Sequence, residues 1–122
     1  MKAVEKYLEM ADTVLKNSLE LVDTSAKKIK DEAYDGYLNG FGPAVITAGL
    51  LPTLATYGAE TNRKKILDAI AKVAQIGNII TGQLLLEHCL QASKPQQNIL
   101  KEKIINASVA LKLMIRTYNQ KS

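Results

Sequence analysis

The 122-residue chain carries 16 Lys or Arg, 12 Asp or Glu and one His, a formal net charge of +4, and is 47% hydrophobic against 23% charged. That balance excludes wholesale disorder, and the length suits one helical domain, 1–122, around one core. A lone cysteine, Cys89, excludes an internal disulfide and fits a reducing compartment, read here as the cytoplasm, while the charges in Met1-Lys2-Ala3-Val4-Glu5-Lys6 interrupt any secretory apolar run.

Residues 2–23 set Val4, Tyr7, Leu8, Ala11, Val14, Leu15, Leu19 and Val22 at three- and four-residue spacings, one face of a packing helix. Asp23, Thr24 and Ser25 have short oxygens that cap free helix amides, so a second helix is expected from Ala26 to about Leu38. Asn39-Gly40-Phe41-Gly42-Pro43 reads as a turn, and because proline is best tolerated in a first helical turn, a third helix is expected to start near Pro43. Val45, Ile46, Leu50, Leu51 and Leu54 make this helix apolar on most sides, and Ala44, Ala48, Gly49 and Ala55 permit close approach, as the centre of the bundle requires. Pro52 is expected to kink it and Gly58 to end it in the left-handed conformation. Gly36 to Ala59 is uncharged and long enough to cross a bilayer, but Asn39, Thr47, Thr53, Thr56, five glycines and two prolines dilute it. A buried helix, with no membrane partner, is the expectation.

Thr61 or Asn62 is expected to cap the next helix, Arg63 to about Gln75, with Ile66, Ile70, Val73 and Ala74 inward and Lys64, Lys65, Asp68 and Lys72 outward. Gly77 and Gly82 blur the next segment, but Leu84, Leu85, Leu86, Cys89 and Leu90 mark a short fifth helix ending before Pro95, and Ser93 to Asn98 reads as a loop. The last helix, about Gln97 to Asn119, repeats Leu100, Ile104, Ala107, Leu111, Ile115 and Tyr118 along one seam. The fold class that results is all-α, a compact bundle of about five to six helices.

Candidate chemistry is sparse. His88 and Cys89 diverge by about 100° on a helix, further ligands are missing, and Cys89 lies among leucines, so a core cysteine and a surface histidine are expected and no metal site. Asp31, Glu32 and Asp35 lack calcium-loop spacing and read as solvated surface. No paired acid and base can be assembled, which predicts a protein that is not an enzyme and needs no cofactor. Tyr34, Tyr37, Phe41 and Tyr118 can stack on unpaired bases, although aromatics at helical spacing read first as core.

Charge is distributed unevenly. Residues 1–61 carry six Lys against nine acids, net −3, and residues 62–122 ten Lys or Arg against three acids, net +7, which predicts an anionic partner for the second half. Arg63-Lys64-Lys65 puts three cations in a first helical turn, where the helix dipole penalises each by roughly a few tenths of a kcal/mol and a phosphate would reverse the penalty. Free amides there, aided by Thr61 and Asn62, can donate to phosphate oxygens; simple solvation accounts for the same residues equally well. Lys101, Lys112 and Arg116 fall within about 80° of one another and form a basic stripe beside the apolar seam. With Lys72, these seven residues are the candidate RNA contacts.

Two blocks add a resemblance. Gly49-Leu50-Leu51 followed by Thr53-Leu54-Ala55 and Tyr57, and, in the last helix, Ala107, Ala110-Leu111-Lys112 and Arg116-Thr117-Tyr118, make the chain similar to the small subunit of the Cmr type III-B CRISPR RNA-guided effector complex. The resemblance runs from about Lys6 to Tyr118 in helix order and implies a helical, non-catalytic protein. It implies several copies stacked along a ribonucleoprotein filament, with other effector subunits, guide RNA and target RNA as partners and target cleavage left to other chains. The family lends no short RNA motif, so the seven basic residues rest on placement alone. The alternative reading is a helical adaptor that touches protein only.

Overall fold

A computed structural model describes residues 2–18 and 20–118 of the chain, and within them the secondary structure is six helices and one minimal hairpin. Helix α1 (Lys2–Asn17) buries Val4, Tyr7, Ala11, Val14 and Leu15 on the expected face. It stops at Asn17, short of the expected 23, because Val22 is buried from an extended backbone. Strands β1 (Val22–Asp23) and β2 (Lys28–Ile29) pair antiparallel, and the Asp23 carboxylate closes the turn by accepting from the amides of Ser25 and Ala26. The capping residues therefore cap a hairpin. Leu19, assigned to the first helix, and Asn119, assigned to the last, lie outside the described residues.

Helix α2 (Ala33–Ala48) begins later than expected and runs straight through the stretch read as a turn. Magnitudes explain why: Gly36, Gly40 and Gly42 cost about 1 kcal/mol each and Pro43 about 3. Against them stands the burial of Tyr34, Leu38, Phe41 and Val45, about 1.5–3 kcal/mol per side chain. The real break is Gly49, at φ 100° and ψ 160°, a conformation reserved almost entirely for glycine. Helix α3 (Leu50–Ala59) follows, its start fixed by Thr53, whose amide and hydroxyl both donate to the Gly49 carbonyl. Pro52, not Pro43, occupies a first turn, and Gly58 lies inside α3 instead of ending it.

Helix α4 (Thr61–Ala74) buries Ile66, Leu67, Ile70, Val73 and three alanines, and α5 (Gly82–Gln91) buries Leu85 and Cys89. These two helices meet where a Cβ on Gly82 would stand 2.6 Å from Leu67 Cδ2; the Gly82 amide donates to Asp68 Oδ1 at 2.6 Å. Helix α6 (Lys94–Ile115) starts earlier than the expected loop allows, since Ser93 forms a capping box with Gln96 and Pro95 sits in the first turn. Its seam of Leu100, Ile104, Ala107, Leu111 and Ile115 is buried as expected, and α6 packs against α1, α2 and α4, so it and not the glycine-rich segment is the central element. Among the described residues no helix is long and apolar enough to cross a membrane.

Candidate nucleic-acid interface

The seven basic candidates do not converge. Consecutive helical residues turn by about 100°, and the first turn of α4 accordingly sends its three cations to three surfaces. The Arg63 guanidinium lies 4.8 Å from the Tyr37 ring centre and 5.9 Å from that of Tyr57, with Glu60 3.7 Å away. Lys64 borders a cleft of about 170 Å³ between α3 and α5, lined also by Ala55, Gly58 and Gln83. Lys65 shares with Lys72 a cleft of about 320 Å³ against the end of α1, where Asn17, Glu20 and Asp68 also lie.

Glu60 is the residue that sequence reasoning missed. It is the cap of α4 in place of Thr61 or Asn62, its carboxylate accepting from the amides of Asn62 at 2.9 Å and Arg63 at 3.3 Å. Those two amides are occupied, so neither is a free donor for a phosphate at this terminus. Around Arg63 the packing is aromatic: Tyr57 meets Phe41 edge-on at 5.1 Å and donates its hydroxyl to the Tyr37 carbonyl at 2.6 Å. Burial pushes the Tyr57 phenol above its ordinary value, with the Arg63 cation pulling it partly back.

The α6 stripe holds together better. Ile105 sits between Lys101 and Lys112 on the helix, and its Cγ2 is 4.0 Å from where a Gly42 Cβ would be, so this edge of α6 borders α2. At its end Arg116 Nε donates to Asp35 at 3.0 Å and its Nη2 reaches the Asn39 side chain at 3.5 Å. From Gly36 to Ala48 helix α2 carries no charge, and the single acid of α6, Glu102, is turned about 100° from Lys101 and borders Tyr7 of α1. Lys101 and Lys112 join no ion pair among the described residues, and Asp35, the acid that α2 brings to this edge, is engaged by Arg116.

The remaining candidates follow the plainer readings. Cys89 is buried, its thiol pushed up to about 11 by burial, and His88 is exposed. Asp31 accepts from the Ala33 amide and Asp35 pairs with Arg116. No group of three His, Cys, Asp or Glu able to hold a metal exists among the described residues. Tyr34, Phe41 and Tyr118 are buried, and Tyr37 is half-buried beneath Arg63.

Among the described residues the fold is a bundle of helices with one minimal hairpin, and the geometry at hand is that of a basic α6 edge and several shallow clefts. The family model described as CRISPR-associated protein (Cas_Cmr5) matches residues 10–118, and the chain belongs to that family, the small subunit of type III-B Cmr complexes. Membership implies association with other subunits of a CRISPR effector. No curated protein and no solved structure matches the chain significantly.

Proposed function

We propose that this chain is a non-catalytic subunit, present in several copies along a cytoplasmic type III-B effector filament, that holds guide and paired target RNA by their phosphates. The observation that carries the reading is the pair Lys101 and Lys112, on an α6 edge that borders the uncharged Gly36–Ala48 stretch of α2, both outside any ion pair among the described residues, while the one acid of α2 at this edge, Asp35, is taken by Arg116. Lys64, Lys65 and Lys72 add separate contacts on other surfaces, while Arg63 and Arg116, each engaged within the fold, contribute only the donors that their partners leave over. Contacts of this kind are salt-sensitive and blind to sequence.

A Lys101→Ala/Lys112→Ala variant tests it, on the full chain and in the assembled complex. About two lost phosphate contacts shrink the salt slope for single-stranded RNA by roughly 1.4, at unchanged melting temperature. Unchanged slope and affinity would sink the assignment.

A purely structural adaptor is the second reading, supported by the exposed stripe Gly36, Gly40, Pro43 and Thr47 of α2 and by Ile46, 74% exposed beside it. Such a surface admits close approach of another protein. Crosslinking separates the two readings, because an adaptor leaves no RNA crosslinks on residues 62–122.

A further inference from the structure

Between α5 and α6 lies a cleft of about 360 Å³ whose chemistry differs from that of the lysine edge. His88 and Gln91 line it from α5, Ala92 from the connection, and Gln96, Ile99 and Leu100 from α6; apart from the imidazole nothing in this lining ionises. Neutral amides and an imidazole opposite aliphatic side chains suit a flat heterocycle with hydrogen-bonding edges, since bases are held by stacking and by contacts to those edges. They suit a phosphate poorly, because no cation lines the space.

The walls are fixed in advance. Gln96 Oε1 accepts from the Ser93 amide at 3.2 Å, which orients its NH₂ group and leaves that group free to donate. Gln97 Nε2 donates to the carbonyls of Cys89 at 3.0 Å and Ala92 at 3.4 Å, stitching the corner between the helices. Leu85 and Cys89 are fully buried in the adjoining core, so α5 cannot shift without disturbing it. Ile99, 57% exposed, is left as an apolar wall at the surface. A cleft held this way binds without ordering its own side chains first.

We infer that this cleft is a nucleobase site, taking an unpaired base from an RNA strand; Lys101 is turned about 100° from Leu100 of the lining, so the base site and the lysine edge lie on different sides of α6 and a strand that meets both passes around the helix. The inference rests on the RNA reading above and adds base contact to it. A continuous apolar floor would have favoured a protein helix, but half of these six side chains carry hydrogen-bonding groups.

The test is a nuclear magnetic resonance titration of the full chain with short oligoadenylate, oligouridylate and an abasic ribose-phosphate strand of equal length, alongside affinities for each. Base-bearing strands should shift the amides of His88, Gln91 and Ile99, while the abasic strand shifts only the lysine edge and binds about tenfold more weakly. A His88→Ala/Ile99→Ala variant, both positions being exposed, should erase that tenfold difference and keep the salt slope. Equal affinity for all strands with no shift at the cleft overturns the base site and leaves the phosphate reading standing. Failure of every strand to bind overturns both. Occupation of the cleft by another subunit in the RNA-free complex, seen as a crosslink from Ile99, overturns it in favour of a protein helix.

Discussion

The Arg63 guanidinium rests 4.8 Å from the centre of the Tyr37 ring, so the first turn of α4 is tied to α2 by a cation over an aromatic face. Arg63→Ala should therefore lower stability by about 1 kcal/mol. Lysine at this position should restore only part, since an ammonium lacks the plane that stacks. Thermal denaturation of both variants checks this, and an Arg63→Ala protein that melts with the wild type would show that the stacking stabilises nothing. RNA affinities of Arg63 variants need that control.

Glu60→Ala removes the cap of α4 and leaves the amides of Asn62 and Arg63 without their carboxylate. The expected loss is about 1 kcal/mol. Urea titration measures it directly, with an unchanged slope if the unfolded state is unaffected.

Two glycine substitutions should act in opposite directions. A methyl on Gly82 enters the space of Leu67, 2.6 Å from its Cδ2, whereas one on Gly36 meets nothing within 4 Å. Gly82→Ala should destabilise by about 1–3 kcal/mol through overpacking. Gly36→Ala, in an exposed helical position, should stabilise by about 0.5–1 kcal/mol. Paired calorimetry of the two variants gives both signs in one experiment.

Cys89 supplies a pH dependence. Burial holds its thiol near 11 against an ordinary 9.0, so the folded chain keeps its proton while the unfolded chain ionises. This contribution to stability is intact below pH 9.0 and is lost as pH rises through about 11. Cys89→Ser should flatten stability across that window. Alkylation at neutral pH should be slow until the protein is unfolded; rapid labelling of the native chain would contradict the burial.

Helical periodicity made most of the fold legible, because long apolar seams such as Leu100 to Ile115 leave little choice of partner. Local breakers were harder to read. Pro43 and Pro52 are chemically alike in the sequence, and only the burial of Phe41 and Val45 shows that α2 absorbs the first while α3 begins ahead of the second. Val22 satisfies helical and extended spacing alike, so the hairpin was hidden. At the candidate site the basic stripe of α6 is legible as spacing, but not that Arg116 is engaged by Asp35 while Lys101 and Lys112 stay out of ion pairs among the described residues, because that depends on α2 lying alongside. Glu60 escaped notice because glutamate is an uncommon cap beside a threonine and an asparagine. The α5–α6 cleft needs two helices to exist, so no single stretch announces it.

The divergence of Arg63, Lys64 and Lys65 bears on how such a chain can vary over generations. Three neighbouring codons serve an aromatic tie and two separate clefts, so exchanging lysine for arginine at one of them alters one surface alone. Inserting or deleting a single residue ahead of them rotates all three by about 100° and swings Ile66, Leu67 and Ile70 out of the core along with them. Charge at the start of α4 is thus open to drift, while the spacing between Glu60 and Ile66 is held rigid by everything packed beneath it.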